Sequence, residues 1–383
     1  KGLALAPGDR TLAALLLQAL LQTRQIDEAR GFIGALREAH PDDDEFTVLA
    51  ARLAFRTGDI DTADRLLEEV LARDSGNLSA NLQVATIFAD SDRRRANEAL
   101  ERAVAAHPQS FEALDRLIDS LVRSRYDSET EHLERAYILS CRLVERFPSR
   151  IPEAARSLRM VFMRVMDEER MAATGSFHRL LPIWLGELRH TAALHELGQV
   201  ADMEDRLALV DWHRAWGRRV AADVQPVTPV AMPALATGRK LRVGFMSSDL
   251  RNHPVTYFAL PLFEGFDPDR VEVFCYSFSE RAPDSLHRLI AGRVTAFRHW
   301  PKMADAAVAD GIAADGLDIL FELGASTAMN KLEVMAYRPA RLGASWVGYP
   351  HSAGLEQIDY ILTDPYITPE DPRLLIERPF EMP

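Results

Sequence analysis

Apolar residues in the first 150 positions recur at helical spacing, and the pattern itself repeats at a longer interval. Aligning the chain on itself at the offset that carries Ile26 onto Ile60 places one set of apolar side chains over the next, namely Ile26, Ala29, Phe32, Ile33 and Leu36 over Ile60, Ala63, Leu66, Leu67 and Val70. Leu100 and Val104 continue the pattern in a third copy, and a fourth follows an insertion near residues 126–131. Each copy closes on a similar turn: Ala39-His40-Pro41, Arg73-Asp74-Ser75, Ala106-His107-Pro108 and Arg146-Phe147-Pro148. A repeat of this kind predicts an array of helical hairpins over residues 1–150.

The clearest copy, residues 49–71, is typical of two short amphipathic helices with Gly58-Asp59 as the turn between them. Ala29 and Ala63 are small residues that let the two helices of a hairpin approach closely. In spacing and in these small residues the segments resemble the tetratricopeptide repeat. Such hairpins must stack to bury their apolar faces, and stacking forms a concave groove. We expect a protein or peptide in that groove, and a homo-oligomer through the repeats is compatible with it; the alternative is a scaffold that only holds the next domain.

Residues 151–224 stay helical in pattern but lose the period, which predicts a helical connector. Trp184, His213 and Trp216 stand at helical spacing there and are expected to be core residues. His190 and His195 are five apart and would not share a helix face, so no metal site is predicted. Residues 225–239, which contain three prolines, predict a linker.

From residue 240 to 383 the pattern changes to short apolar runs rich in β-branched and aromatic residues. The runs predicted to be strands are Leu241–Met246, Val271–Phe278, Asp318–Phe321, Leu342–Val347 and Tyr360–Leu362. Helical patterns separate them, at Val255–Phe263, Pro283–Ala291 and Lys302–Ala314. This alternation predicts a Rossmann-like α/β lobe with a parallel, doubly wound sheet.

Composition narrows the function classes. A net charge of −12 and a pI near 5.5 argue against a nucleic-acid binder, which usually needs a basic face. The longest apolar stretch, around Leu12 to Leu21, is about half the length of a membrane span and is interrupted by Gln18, so we expect no membrane anchor. Only two cysteines occur, Cys141 and Cys275, which fits a reducing, cytoplasmic location. The chain begins at Lys1 without a signal-peptide pattern, and we expect it to be trimmed.

Chemistry in a parallel sheet is expected in the loops after the carboxyl ends of the strands. Three loops stand out: Ser247–Pro254, Glu322–Thr327 and Gly348–Gly354. In the first, His253 precedes Pro254, which is suited to open a helix. A histidine at a helix N-terminus has its pKa lowered by the helix dipole and is suited to move a proton. A capping role is equally compatible with this position.

A series of motifs runs through these loops and the segments beside them: Leu241-Arg-Val-Gly-Phe-Met-Ser-Ser-Asp with Asn252-His-Pro, Tyr337-Arg-Pro-Ala, Trp346-Val-Gly-Tyr-Pro, Gly354, and Ile358-Asp-Tyr-Ile-Leu-Thr-Asp. In content and in order these motifs resemble the O-GlcNAc transferase and SPINDLY family. The resemblance implies tetratricopeptide repeats ahead of a two-lobed GT-B glycosyltransferase. It also implies inverting transfer of a sugar, most often N-acetylglucosamine, from a nucleotide-diphosphate donor such as UDP-GlcNAc to Ser or Thr of a protein, without a metal or other cofactor.

The same resemblance implies the roles of individual residues. His253 falls on the family's proposed base or substrate-positioning histidine. The other residues expected at the sugar and acceptor cleft are Asp249, Asn252, Pro254, Glu322, Gly324, Thr327, Gly348, Tyr349, Pro350, His351 and Gly354. A serine hydrolase is disfavoured because no Gly-x-Ser-x-Gly elbow is present.

Three departures from the family pattern qualify these expectations. Many relatives have an aromatic residue or histidine after the glycine of the second loop, where this chain has Gly324-Ala325. Many have a small residue where this chain has His351. The sequence given ends at Pro383, near the end of the family's first lobe, so the donor-binding lobe is expected to be missing from it. The alternative function is a non-catalytic repeat scaffold that binds proteins.

Overall fold

A computed structural model describes residues 8–22, 25–188, 190–222, 224–227, 238–327 and 329–383. The chain divides into two compact units, Lys1–Thr174 and Gly175–Pro383. The helices of the predicted connector are therefore divided between the units, and most of the predicted linker, including Pro229 and Pro233, lies outside the described residues.

The first unit consists of successive helical hairpins, as the repeat pattern predicts. Its helices are α1 (Arg10–Gln22), α2 (Ile26–Ala39), α3 (Asp44–Arg56), α4 (Ile60–Arg73), α5 (Leu78–Phe88), α6 (Arg93–Ala106), α7 (Phe111–Val122), α8 (Glu129–Arg146), α9 (Ile151–Val165) and α10 (Glu168–Ala173). The four predicted closing turns follow α2, α4, α6 and α8, and Gly58, with φ of 86°, lies in the turn between α3 and α4. The predicted helical hairpins are thus confirmed.

Polar caps and buried small residues explain these helices. Asp43, Asp59, Asn77, Asp92 and Ser110 each accept a backbone N–H at the start of a helix, a contact worth about 1 kcal/mol per cap. Ala29 and Ala63 are fully buried, which is compatible with their predicted role at the contact between the two helices of a hairpin.

The second unit starts with two helices, α11 (Phe177–Gly186) and α12 (Met203–Ala221), which precede a seven-stranded sheet. The strands are β1 (Leu241–Ser247), β2 (Val271–Ser277), β3 (Ala296–His299), β4 (Ile319–Glu322), β5 (Leu342–Ser345), β6 (Tyr360–Thr363) and β7 (Arg378–Glu381). Three helices lie between strands: α13 (Pro254–Gly265), α14 (Ser285–Ala291) and α15 (Asp305–Ala314). The sheet order is β3-β2-β1-β4-β5-β6-β7 and every pairing is parallel, which confirms the doubly wound sheet.

Two strands were missed by the apolar pattern. Strand β3 is four residues long and half polar, and β7 is fully exposed and contains Pro379. Proline is tolerated on an edge strand because no neighbouring strand needs its N–H. Both strands lie at edges of the sheet, where burial does not impose an apolar run.

Helix α12 packs on the third loop, and its Trp216 shares a core with Met246 and Tyr276 of the sheet. Trp184, Trp212, His213 and Trp216 are all buried, which confirms the assignment of this region as core. A Cβ added at Gly217 would lie 1.9 Å from the carbonyl oxygen of Gly354, so only glycine permits this approach. No described helix is both long enough and apolar enough to cross a membrane.

Candidate active site

The three predicted loops lie at one edge of the sheet because they follow the carboxyl ends of the parallel strands β1, β4 and β5. The backbone N–H of Ser248 donates to the Asn330 side chain at 3.0 Å, which joins the first loop to the segment after the second. A Cβ added at Gly348 would lie 1.8 Å from the Leu323 carbonyl oxygen, so the third loop packs directly on the second. The fold therefore assembles the three loops into one surface.

His253 is the N-cap of α13, and Pro254 occupies the first turn as predicted. The Nδ1 atom of His253 accepts the backbone N–H of Val255 at 3.3 Å. Its side chain is about one-third exposed, at 33%. The capping role that the sequence left open is present, and the ring also reaches solvent at the sheet edge.

Charged neighbours surround this histidine. Asp249 Oδ1 lies 3.7 Å from His253 Nδ1 and pairs with Arg251 at 2.9 Å. Burial lowers the pKa of His253, Asp249 opposes that shift, and Arg251 and Arg281 lower the pKa further. The direction agrees with the sequence-based expectation, and burial is the leading cause of the lowered pKa. His253 is therefore neutral at pH 7.

The cap hydrogen bond decides what a neutral His253 offers. With Nδ1 accepting from Val255, the ring proton is on Nε2, and the exposed side of the ring presents a hydrogen-bond donor. Accepting a proton at Nε2 requires the other tautomer, with Nδ1–H turned to the carboxylate of Asp249, 3.7 Å away. A small ring movement toward Asp249, with loss of the Nε2 proton to solvent and gain of a proton at Nδ1, would convert His253 from a donor into a base.

The second loop is held from within by Glu322. Its carboxylate accepts the backbone N–H of Gly324 at 3.0 Å, together with the N–H of Ala325 and the hydroxyl of Ser345. Glu322 is 2% exposed, and burial raises the pKa of its carboxyl group. Through these contacts Glu322 fixes the shape of the second loop. Ala325 has φ of 36°, a left-handed conformation that favours glycine.

The third loop turns its tyrosine inward. The Tyr349 hydroxyl lies 2.9 Å from Nε2 of His213 on α12, and His213 Nδ1 lies 2.8 Å from the Leu209 carbonyl oxygen. With Nδ1–H donating to the carbonyl, Nε2 accepts the tyrosine hydroxyl proton. Burial, chiefly, lowers the pKa of His213 to about 3 and that of His351 to about 4, so both rings are neutral.

A buried carboxylate that the sequence did not single out fixes the end of this loop. Glu377 accepts the hydroxyl of Ser352 at 2.6 Å and the backbone N–H groups of Ala353 at 2.8 Å and Gly354 at 3.4 Å. It is 3% exposed, and burial raises the pKa of its carboxyl group. Glu377 stands beside the weakly patterned strand β7, so nothing in the local sequence marks it as buried.

A cavity of about 660 Å³ opens at this edge, beside β5 and β6. Tyr349, Pro350 and His351 line it, as does Arg206 of α12, which the sequence did not suggest. Nε2 of His351 is buried and has no hydrogen-bond partner among the described residues. The structure thus brings three of the predicted cleft residues to this cavity, whereas His253, on the first loop, is not among its lining residues.

The remaining predicted residues shape the loops. Asn252 accepts the Tyr257 hydroxyl proton, and its N–H donates to Asp284 at 2.7 Å. Thr327 accepts a hydrogen bond from Asn330 at 3.1 Å, and a Cβ at Gly324 would lie 1.6 Å from Asn330 Nδ2. Gly354 has φ of 97°, so it tolerates no ordinary side chain. Among the described residues, no three His, Cys, Asp or Glu side chains are grouped to hold a metal ion.

Comparisons with known proteins agree with this architecture. Residues 225–373 match the model of glycosyl transferase family 41. A UDP-N-acetylglucosamine--peptide N-acetylglucosaminyltransferase of Caenorhabditis elegans is 32% identical over 137 residues, which are 36% of this chain and 12% of that protein. The Hordeum vulgare protein named probable UDP-N-acetylglucosamine--peptide N-acetylglucosaminyltransferase SPINDLY is 35% identical over 159 residues, 41% of this chain and 17% of its own length.

A solved structure extends the likeness to both units. A Thermobaculum terrenum O-GlcNAc transferase variant matches with a TM-score of 0.55 and 25% identity, over 88% of this chain and 57% of that one. The chain spans less than a fifth of the length of the curated relatives it matches. Residues 225–373 therefore match glycosyl transferase family 41, and this part of the chain is similar to O-GlcNAc transferase and SPINDLY proteins.

Proposed function

We propose that this chain is the acceptor-side part of a protein O-glycosyltransferase. The reaction is inverting transfer of a sugar, N-acetylglucosamine in the first instance, from UDP-GlcNAc to a Ser or Thr hydroxyl of a protein that the repeats select. The observation that carries the proposal is the joined set of three loops, within the segment that matches family 41. The nucleotide would be held chiefly by a second lobe, which the family resemblance implies.

His253 is the residue that we assign to the reacting hydroxyl. It is neutral and partly exposed, and it is anchored at a helix start, so its ring stays within a small movement of both the cap and Asp249. In the tautomer set by the cap it would donate a hydrogen bond to the acceptor or to a donor oxygen, which positions the reactants. In the tautomer held by Asp249 it would take the hydroxyl proton at Nε2 as the hydroxyl oxygen bonds to the sugar's anomeric carbon and the bond from that carbon to the diphosphate breaks, which releases UDP.

The buried carboxylates Glu322 and Glu377 support the reaction indirectly. Each accepts hydrogen bonds from backbone N–H groups of a loop and so fixes the loop's shape. Such preorganisation keeps the cleft walls in place during transfer. We therefore assign both residues a positioning role.

A second candidate function is a binding scaffold without catalysis. The strained Ala325 and the large His351 replace smaller or different residues that many relatives have, and both alter the loops of the site. Incubating the intact gene product that contains these residues with labelled UDP-GlcNAc and a cell lysate separates the two functions. Label in proteins, absent when the lysate is protease-treated beforehand, supports transfer. No label with UDP-GlcNAc or with other sugar nucleotides would favour the scaffold.

A further inference from the structure

The repeat helices enclose a cavity with an excess of positive charge. The cavity measures about 480 Å³ and is lined by the first helices of four successive hairpins, α1, α3, α5 and α7. Its charged lining residues are Arg52, Arg56, Arg116 and Glu112, three cations against one carboxylate. The whole chain has the opposite sign, with a net charge of −12. The positive charge of this groove is therefore a local feature.

The arginines of the groove are incompletely neutralised. Arg56 is exposed and has no ion pair or hydrogen bond with any described residue. Within the described part of the chain, Arg52 donates only to a neutral partner, the Gln83 side-chain oxygen, at 3.4 Å. Arg116 lies 3.6 Å from Glu112 and also donates to the Thr86 hydroxyl. Burial lowers the pKa of Arg116 although Glu112, Asp115 and Asp119 all act to raise it, so desolvation of this cation outweighs the nearby carboxylates.

A neutral donor accompanies these cations. Gln83 is 5% exposed, its oxygen is used by Arg52, and its Nε2 has no hydrogen-bond partner among the described residues. A buried amide N–H without an acceptor costs about 1–3 kcal/mol, and a ligand oxygen would recover that cost. The groove thus offers guanidinium and amide donors together, which suits carboxylate and peptide carbonyl oxygens.

The spacing of these groups along the groove fits an extended chain. Gln18, Arg52 and Thr86 succeed one another at the same offset that relates Ile26 to Ile60, so each repeat presents its polar residue at an equivalent place. Packed helices lie about 8–10 Å apart, and an extended peptide advances about 3.4 Å per residue. About every third side chain of such a peptide would therefore meet a new helix.

From this geometry we infer that the groove lined by Arg52, Arg56, Gln83 and Arg116 binds an extended acidic peptide segment, with Glu or Asp at about every third position. The inference deepens the proposed function and rests on it in one respect, since the segment would belong to the acceptor protein. The binding itself needs no sugar donor.

Binding of short fluorescent peptides to the 383-residue chain, followed by anisotropy without nucleotide sugar, tests the inference. One peptide has Glu at every third position around a central Ser, a second has Gln in place of Glu, and a third has Lys. We expect the Glu peptide to bind at least about tenfold more tightly than the Gln peptide, with affinity falling as salt screens the charges. Equal binding of the Glu and Gln peptides, or tighter binding of the Lys peptide, would overturn the inference. Preference for a single-stranded RNA over the Glu peptide would also overturn it.

A matched pair of variants localises the effect. Arg52→Gln with Arg56→Gln should weaken Glu-peptide binding by about tenfold or more. The control changes two exposed arginines on second helices, Arg65→Gln on α4 and Arg142→Gln on α8, and has the same net charge. The control should bind like the unmodified chain, and circular dichroism should show both variants folded. If the control weakened Glu-peptide binding equally, the binding would depend on the overall charge of the chain and not on the groove. If the Glu peptide binds in the groove but is never glycosylated, the docking site stands and the acceptor role falls.

Discussion

Charged side chains lie between neighbouring hairpins at the surface of the repeat unit, whereas in the α/β unit carboxylates lie inside and hold loops. Asp64 pairs with Arg95 of the next hairpin, and Glu101 with Arg135, in both cases with partly exposed side chains. Glu322 and Glu377, in contrast, are almost fully buried and accept backbone N–H groups. The difference indicates that the repeats are modular and tolerant, while the loops at the sheet edge depend on single buried groups.

The largest effect is expected from removing a buried carboxylate. Glu377→Ala leaves the Ser352 hydroxyl and the N–H groups of Ala353 and Gly354 without their acceptor. We expect the free energy of unfolding of the α/β unit to fall by about 3–5 kcal/mol, measured by urea denaturation. The control Glu356→Ala, which removes an exposed pair with Arg218, should cost about 0–1 kcal/mol. Equal costs would show that burial of Glu377 does not matter.

Replacing a glycine by alanine should destabilise the α/β unit at one position and stabilise the repeat unit at another. At Gly217 the new methyl group meets the Gly354 carbonyl at 1.9 Å, so we expect a loss of about 2 kcal/mol from overpacking. At Gly31, in α2, no atom lies within 4 Å, and the same change should stabilise the helix by about 0.5–1 kcal/mol. Thermal unfolding of both variants checks the prediction. A stabilised Gly217→Ala variant would contradict the close packing of α12 on the third loop.

The buried histidines predict that the stability of the α/β unit depends on pH. In the unfolded chain a histidine has a pKa near 6.5, whereas in the fold the pKa of His213 is about 3 and that of His351 about 4. Below pH 6.5 these histidines therefore bind protons in the unfolded state and stay unprotonated in the folded state. The free energy of unfolding falls as the pH falls. When the pH is lowered from 6.5 to 5.5, the free energy of unfolding of the His351→Asn variant should therefore fall by about 1 kcal/mol less than that of the unmodified chain.

Two buried glutamates also make the stability of the α/β unit depend on pH. The raised pKa values of Glu322 and Glu377 act in the opposite sense, because the folded state takes up protons first and gains stability as pH falls. Both glutamates are present in the variant and in the unmodified chain, so their contribution cancels in the difference. Identical pH profiles for the two proteins would show that His351 is not buried in its neutral form.

The smallest effect is expected between hairpins. The Asp64 and Arg95 side chains are 24% and 33% exposed. A double-mutant cycle with Asp64→Asn and Arg95→Gln should give a coupling energy of about 0.5–1 kcal/mol, which weakens at high salt. A coupling energy of several kcal/mol would contradict the contrast, because a surface pair in the repeats would then matter as much as a buried carboxylate in the loops.

The sequence predicted more of the architecture than of the site. Each repeat encodes the same local physics, so the ends of α2, α4, α6 and α8 could be located from turn residues alone. Strand β1 and the other central strands could be located from their apolar runs, because burial on both faces of the sheet imposes such runs. Edge strands escaped prediction, since exposure removes the apolar pattern that marks a strand.

In the site, the position of His253 before Pro254 could be predicted, but its cap hydrogen bond and its distance from Asp249 could not. Glu322 belongs to a recognisable loop, yet its inward direction depends on contacts across the sheet with Ser345. Glu377 is distant in sequence from the residues that it holds, by 23 to 25 positions, and no local spacing reveals such a pairing.

Transfer by His253 variants of the intact gene product tests the central claim most directly. Asparagine is a favoured N-cap and can accept the Val255 N–H, so His253→Asn preserves the cap without the imidazole, whereas His253→Ala loses both. Incorporation of labelled N-acetylglucosamine into acceptor protein should fall by about 100-fold or more in both variants, while only His253→Ala lowers the melting temperature. Normal transfer by His253→Asn would contradict the account, because it would reduce His253 to a helix cap.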